Sequence, residues 1–126
     1  MSKYNNTKVV TESGERFDSV KEYHRWRELL LLQHAGKISD LQRQVKFELV
    51  PAQFETYERY GKKGRLKDGR RRVELSVDYV ADFVYTDLST GKTVVEDTKS
   101  VATKTKDYRI KKKLMLYVHK IRVIEI

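Results

Sequence analysis

The sequence predicts an α/β fold, and three observations predict it. Apolar and β-branched residues alternate through Arg72–Tyr85 and again through Lys92–Ser100, on either side of a turn holding Ser89, Thr90 and Gly91. Two other stretches, after Ser19 and after Asp107, carry apolar residues at helical spacing. The elements read in order as helix, strand, strand, strand, helix, strand, without internal repeat or low-complexity segment. The length, 126 residues, is that of one domain, 1–126, with a single modest core.

Residues 1–12 are polar and aperiodic; a loosely ordered start is expected, with room for a short strand at Lys8–Thr11. Ser19 followed by Glu22 is a capping-box pattern, and Phe17 is placed for a hydrophobic staple. The first helix should run to about His34, with Tyr23, Trp26 and Leu30 as its apolar stripe and Leu29 beside them. Gly36 suits a left-handed residue beyond its end. Gln42–Val50 alternates loosely and stops at Pro51, as a strand would. Gln53–Tyr60 either continues it or forms its own strand, since Phe54, Thr56 and Tyr57 favour extended backbone. The glycine-rich basic segment 59–72 is expected as a loop or hairpin insertion.

Arg72–Tyr85 then reads as one long strand. Leu75, Val77, Tyr79, Ala81, Phe83 and Tyr85 share one face, and Val80, Asp82 and Val84 the other, so both faces are apolar around the aspartate, as in a central strand. Ser100–Lys106 is a polar loop. Asp107 is placed to cap a second helix from Tyr108 to about Lys120, with Ile110, Leu114 and Tyr117 buried and Met115 and Val118 flanking. Ile121–Ile126 closes the chain as a strand.

Charged residues make up 36% of the chain and the formal net charge is +9. Such an excess favours a polyanionic partner, nucleic acid before an anionic membrane surface. The distribution favours nucleic acid too. Between Arg59 and Arg72 lie eight basic residues and one acid, with glycines in place of the apolar face of a membrane-binding helix. No apolar run is long enough to span a bilayer and no charged-then-apolar leader is present, so no membrane partner is expected. Cysteine is absent, which excludes disulfides and thiolate metal sites and fits a cytoplasmic location. The three histidines show no zinc spacing; P-loop, GxSxG and Cys/His patterns are missing, so ATP-driven work and acyl transfer are not expected.

Two carboxylates and a lysine stand inside the apolar strands, where charge is costly unless paired. Alternation puts Val95, Asp97 and Lys99 on one face of their strand and Val94, Glu96 and Thr98 on the other. Hairpin pairing would bring Asp82 alongside Asp97, a set able to hold a hard divalent cation and a water. The plain alternative is an intrastrand ion pair, worth little if exposed. Glu96 is the competing acid should the register slip by one.

These residues resemble the PD-(D/E)XK nuclease superfamily: Asp82 as the first acid, then Asp97-Thr98-Lys99 as the D-x-K element, with Ala81 where proline is often written. More narrowly the chain resembles small phage and prophage proteins of the DUF1064 type. The shared series is Phe17-Asp18-Ser19 before a glutamate-bearing helix, Gln44-Val45-Lys46-Phe47, Ala81-Asp82-Phe83, Val95 through Lys99, and Tyr108 through Lys111. The resemblance implies a restriction-endonuclease-like αβββαβ core, a mixed central sheet flanked by helices. It implies Mg²⁺ or Mn²⁺ held by Asp82, Asp97 and the Thr98 carbonyl, with Lys99 orienting the attacking water or stabilising phosphate charge. It also places a helix glutamate near the metal, here Glu22, whose other reading is the helix cap; Glu28 competes and is better suited to a structural role. A glutamine–tyrosine pair of some relatives would fall at Lys113 and Tyr117, where lysine leaves a solvated basic face as the simpler reading.

The function expected is therefore a metal-dependent DNA endonuclease. Structure-specific cutting, as by a Holliday-junction resolvase, would require a homodimer. Phosphate contacts are expected from Lys62, Lys63, Arg65, Lys67, Arg70, Arg71 and Arg72, and from Lys104, Lys106, Arg109, Lys111 and Lys112. RNA stays open beside DNA, since nothing reads a 2′-hydroxyl. The rival expectation is a nucleic-acid-binding accessory protein without turnover, for which an intact Asp82, Asp97 and Lys99 set would be unnecessary.

Overall fold

A computed structural model describes residues 7–126. The first six, part of the loosely ordered start expected above, lie outside it. Val9–Val10 (β1) pairs with Arg16–Phe17 (β2) in a two-stranded ribbon that leads into helix α1, Val20–His34. Strand β3 (Ile38–Val50) follows, then β4 (Gln53–Tyr60), β5 (Leu66–Glu74), β6 (Val77–Asp87) and β7 (Lys92–Asp97). Helix α2 (Lys106–Leu114) and β8 (Ile124–Glu125) complete the chain. The central sheet has the order β3-β6-β7-β8. The first three strands are antiparallel, and β8 joins β7 in parallel, so the sheet is mixed.

One helix covers each face. Leu29 of α1 packs with Ile38, Phe83 and Tyr85, and with Val94 at its margin. Tyr108 of α2 and Met115 just beyond it pack with Leu49, Tyr79, Ala81, Val95 and Val123. The consecutive β7 residues Val94 and Val95 fall in different clusters, as residues on opposite sides of a strand must. Burying Leu29 and Phe83 completely contributes about 2–3 kcal/mol each. Among the described residues no helix is long and apolar enough to cross a membrane.

The structure corrects the sequence reading in several places. Arg72–Tyr85 is not one strand. It breaks at Leu75 and Ser76, where the Ser76 hydroxyl donates to Asp78 at 2.9 Å. The first part, β5, pairs with β4 in a separate ribbon, and only β6 enters the central sheet. Leu75 and Val77 are consequently exposed. The basic segment is thus part of a hairpin from Gln53 to Glu74, with a register shift between Gln53 and Phe54 and an irregular tip at Gly61–Arg65.

On α1, Leu29 is wholly buried while Leu30 is 41% exposed, because the inward stripe runs Glu22, Trp26, Leu29 rather than through Leu30. On α2 the buried face runs through Tyr108 and Met115, seven residues apart. Ile110 and Tyr117, expected inside, are 55% and 73% exposed. Thr105, not Asp107, caps α2, accepting from the Tyr108 N–H at 3.2 Å. The helix then widens into a π-helical turn over Met115–His119 and ends at the left-handed Lys120. Strand β7 stops at Asp97, three residues earlier than expected, and β8 is only two residues long.

Candidate functional site

The β6–β7 register pairs Phe83 with Glu96, so the next rung sets Asp82 opposite Asp97. Each carboxyl lies close enough to shift the other's proton affinity. Asp82 is held by donors on both oxygens: Gln44 Nε2 reaches Oδ1 at 3.1 Å, while the Thr98 N–H and hydroxyl reach Oδ2 at 2.9 and 2.7 Å. Asp97 Oδ2 accepts from the Tyr79 hydroxyl at 2.6 Å and faces Lys99 Nζ at 3.3 Å. Lys99 in turn sits 4.4 Å above the Tyr108 ring, and its backbone N–H donates to the Ile126 carbonyl. A small cleft of about 60 Å³, lined by Ser19, Lys21, Thr98, Lys99, Ser100 and Thr103, opens beside these groups.

The shared electrostatics split the pair. Burial pushes Asp97 up, and contact with the neighbouring Asp82 adds to this, to about 7. Burial also pushes Asp82 up, but hydrogen bonds from Asp97, Thr98 and Gln44 outweigh it and leave Asp82 below the usual range. The two therefore titrate as a coupled pair that keeps one proton near neutrality.

Glu22 takes part in the helix cap and also lies near Asp82. Its N–H donates to Ser19 Oγ at 3.1 Å, as in a capping box. Its carboxylate does not return to the cap residue itself; Oε2 accepts from the Asp18 N–H at 3.1 Å. Oε1 is then free to accept from Gln44 Nε2 at 3.3 Å. One amide thus bridges Glu22 and Asp82. Glu22 is 2% exposed, and burial, with Asp82 nearby, raises its pKa.

Gln44, a residue of the shared series for which a side-chain hydrogen bond is the default reading, makes that bond to both acids. It lies across β3 from Asp82 in the β3–β6 register and has φ of 52°, a left-handed conformation that costs a non-glycine residue about 1–2 kcal/mol. Tyr79, which the sequence places only on an apolar strand face, and Lys21, whose Nζ donates to the Lys99 carbonyl at 3.2 Å, also belong to the site.

Glu96, the competing acid, is turned to the other face. Arg25 of α1 grips it through Nε and Nη2, both at 2.7 Å, and the Tyr85 hydroxyl donates to it. Glu28 pairs with the same arginine at 2.9 Å and is mostly exposed. Thr98 does not stay on the Glu96 face, as strict alternation required. With β7 ended at Asp97, its hydroxyl turns to Asp82.

Of the basic residues, Lys62 and Lys63 occupy the hairpin tip and Arg65 its exit; Lys67, Arg70, Arg71 and Arg72 lie on β5. Arg70 lies 3.8 Å over the Phe54 ring and Arg71 pairs with Glu55, so the ribbon orders its own cations. Lys104 and Lys112 both approach Glu125, at 3.6 and 3.2 Å, while Lys106 and Arg109 are exposed on α2 and Lys111 is half-buried. Lys113 and Tyr117 are exposed.

Asp82 and Asp97 offer the oxygen donors that a hard divalent cation takes, with Glu22 one amide away. Among the described residues no three acidic or imidazole groups stand close enough to form a closed metal cage. A two-carboxylate site completed by water is the form that suits Mg²⁺.

A family model described as "Protein of unknown function (DUF1064)" matches residues 1–124. No curated protein and no solved structure matches the chain.

Proposed function

We propose that this chain, which belongs to the DUF1064 family, is a metal-dependent nuclease of the PD-(D/E)XK type acting on DNA. The observation that carries this reading is that paired strands set Asp82 opposite Asp97, with Lys99 Nζ at 3.3 Å from Asp97. Packing two carboxylates together inside a protein is unfavourable unless a proton or a cation lies between them. A binding-only protein has no use for that arrangement. The order α1, β3, β6, β7, α2, β8 supports a restriction-endonuclease-like core with the β4–β5 ribbon as an insertion.

Mg²⁺ or Mn²⁺, when bound, would supply positive charge at the scissile phosphate and acidify a water. Asp82 and Asp97 would hold it, with the Thr98 carbonyl as a further oxygen and Glu22 reaching it only through a water. Asp82 is kept ionised and oriented by the two Thr98 donors and by Gln44. In the metal-free protein burial and Asp82 favour a proton on Asp97, and a bound cation would displace it. Lys99, fixed by Asp97 and Tyr108, presents an ammonium to a phosphate oxygen or to the attacking water. The β4–β5 ribbon, about 25 Å long at strand rise, would lie along the backbone and set affinity and position rather than sequence.

The test is a substrate panel of linear duplex, flap, four-way junction and single strand, DNA and RNA, with Mg²⁺ or Mn²⁺ and with EDTA. Metal-dependent cutting of any member supports the nuclease. Tight binding without cutting of every member would leave the accessory-protein reading.

A further inference from the structure

A cleft of about 570 Å³ lies between α2 and the last strand, on the far side of Tyr108 from the carboxylate pair. Five cations and one carboxylate line it. The carboxylate, Glu125, is already engaged: the Tyr108 hydroxyl donates to it at 2.9 Å, and Lys112 and Lys104 approach it. Arg109, Lys113 and Arg122 remain, and none has an ion-pair partner among the described residues. The floor is apolar, formed by Leu116, Val123 and the edge of Tyr108.

We propose that this cleft binds one nucleotide of an unpaired nucleic-acid strand, its phosphate on Arg109, Lys113 and Arg122 and its base against Leu116 and Val123. The volume falls within the range of small-molecule pockets, about 300–1,000 Å³. Unengaged cations beside an apolar floor, whose accessible part is mainly Leu116, match the phosphate and base of a nucleoside monophosphate and not a duplex backbone, since duplex bases are stacked inward. An acidic peptide would meet the cations but gain nothing from the floor. Tyr108 is the common wall: its ring lies under Lys99 and its hydroxyl fixes Glu125. A strand held at the carboxylate site would have the cleft on the other side of this wall. This inference rests on the nuclease reading and sharpens it, because it assigns the substrate an unpaired segment beside the cut.

The experiment measures binding in EDTA by the full chain, so that cutting plays no part. The probes are a short single strand carrying 2-aminopurine, a blunt duplex, dAMP, and an acidic peptide. The variants are Lys113→Ala with Arg122→Ala, and Leu116→Glu, which alters a residue already 46% exposed and so spares the fold. The unaltered protein should change 2-aminopurine fluorescence on binding. Both variants should weaken the single strand by about tenfold or more while duplex affinity moves by no more than about threefold. Competition by dAMP supports a nucleotide site and, if as effective as the strand, identifies free nucleotides as its source. Equal weakening of duplex and single strand, or displacement by the peptide but not by dAMP, overturns the cleft assignment alone. Failure of the unaltered protein to bind any nucleic acid overturns both readings. Selective single-strand binding, with no cutting of any member of the substrate panel under Mg²⁺ or Mn²⁺, leaves the cleft standing and removes the nuclease.

Discussion

Glu96 and Asp97 are neighbours in one strand, both almost wholly buried, and the chain treats them in opposite ways. Glu96 faces α1 and receives a two-pronged arginine and a tyrosine hydroxyl. Asp97 faces a second carboxylate, a tyrosine and a lysine at ion-pair distance. On the first face the cost of burying charge is offset within the protein. On the second it is offset only while a proton remains or a cation is supplied. One strand thus provides a closed ion pair that fixes the helix and an unsettled one suited to chemistry.

The comparison breaks most sharply in activity. Asp97→Asn should lower metal-dependent cutting by about a hundredfold or more, measured at saturating substrate, while the fold is retained. Glu96→Gln should do the reverse. Leaving Arg25 half-partnered should cost about 2–3 kcal/mol in urea denaturation, with turnover per folded molecule nearly unchanged. A loss of turnover without loss of stability would move the site to the α1 face.

The next effect is one of pH. In EDTA the folded chain keeps the Asp97 proton from the unfolded value of 3.8 up to about 7, whereas the unfolded chain has lost it. Stability from this group is therefore complete below about pH 4 and declines as pH rises through 7. Asp82, shifted downward, contributes in the other sense and loses its share only as pH falls below its unfolded value. Thermal melts of the metal-free protein should fall between pH 5 and 8, and Asp97→Asn should flatten that slope. The smallest effect belongs to the bridge. Gln44→Ala should reduce cutting by about tenfold through misorientation of Asp82 and Glu22, with stability changed by no more than about 1 kcal/mol.

The juxtaposition of Asp82 with Asp97, and of Lys99 with Asp97, was legible because it follows from two local rules: period-two alternation and a short turn that sets the register. The Ser19–Glu22 cap was legible for the same reason. What escaped depends on tertiary contact. The break between β5 and β6 is hidden because apolar alternation runs on through Val73, Leu75 and Val77, and only the choice of partner strand divides it. The face of α2 is set by Tyr108 and Met115 packing against the sheet, a choice that the equally apolar Ile110 and Tyr117 conceal. Nothing in the residue type announces the left-handed backbone of Gln44, which is imposed by holding its amide between two acids. Thr98 left its expected face because alternation ceases where the strand ends.

The most direct measurement compares the unaltered protein with Asp82→Ala on labelled linear and branched DNA, following binding and cutting together, with Mg²⁺ and with EDTA. The unaltered protein should cut only with the metal, and Asp82→Ala should bind with similar affinity and leave the strands intact. Equal nicking by both proteins, or no cutting with either Mg²⁺ or Mn²⁺ while binding persists, would contradict hydrolysis at this carboxylate pair.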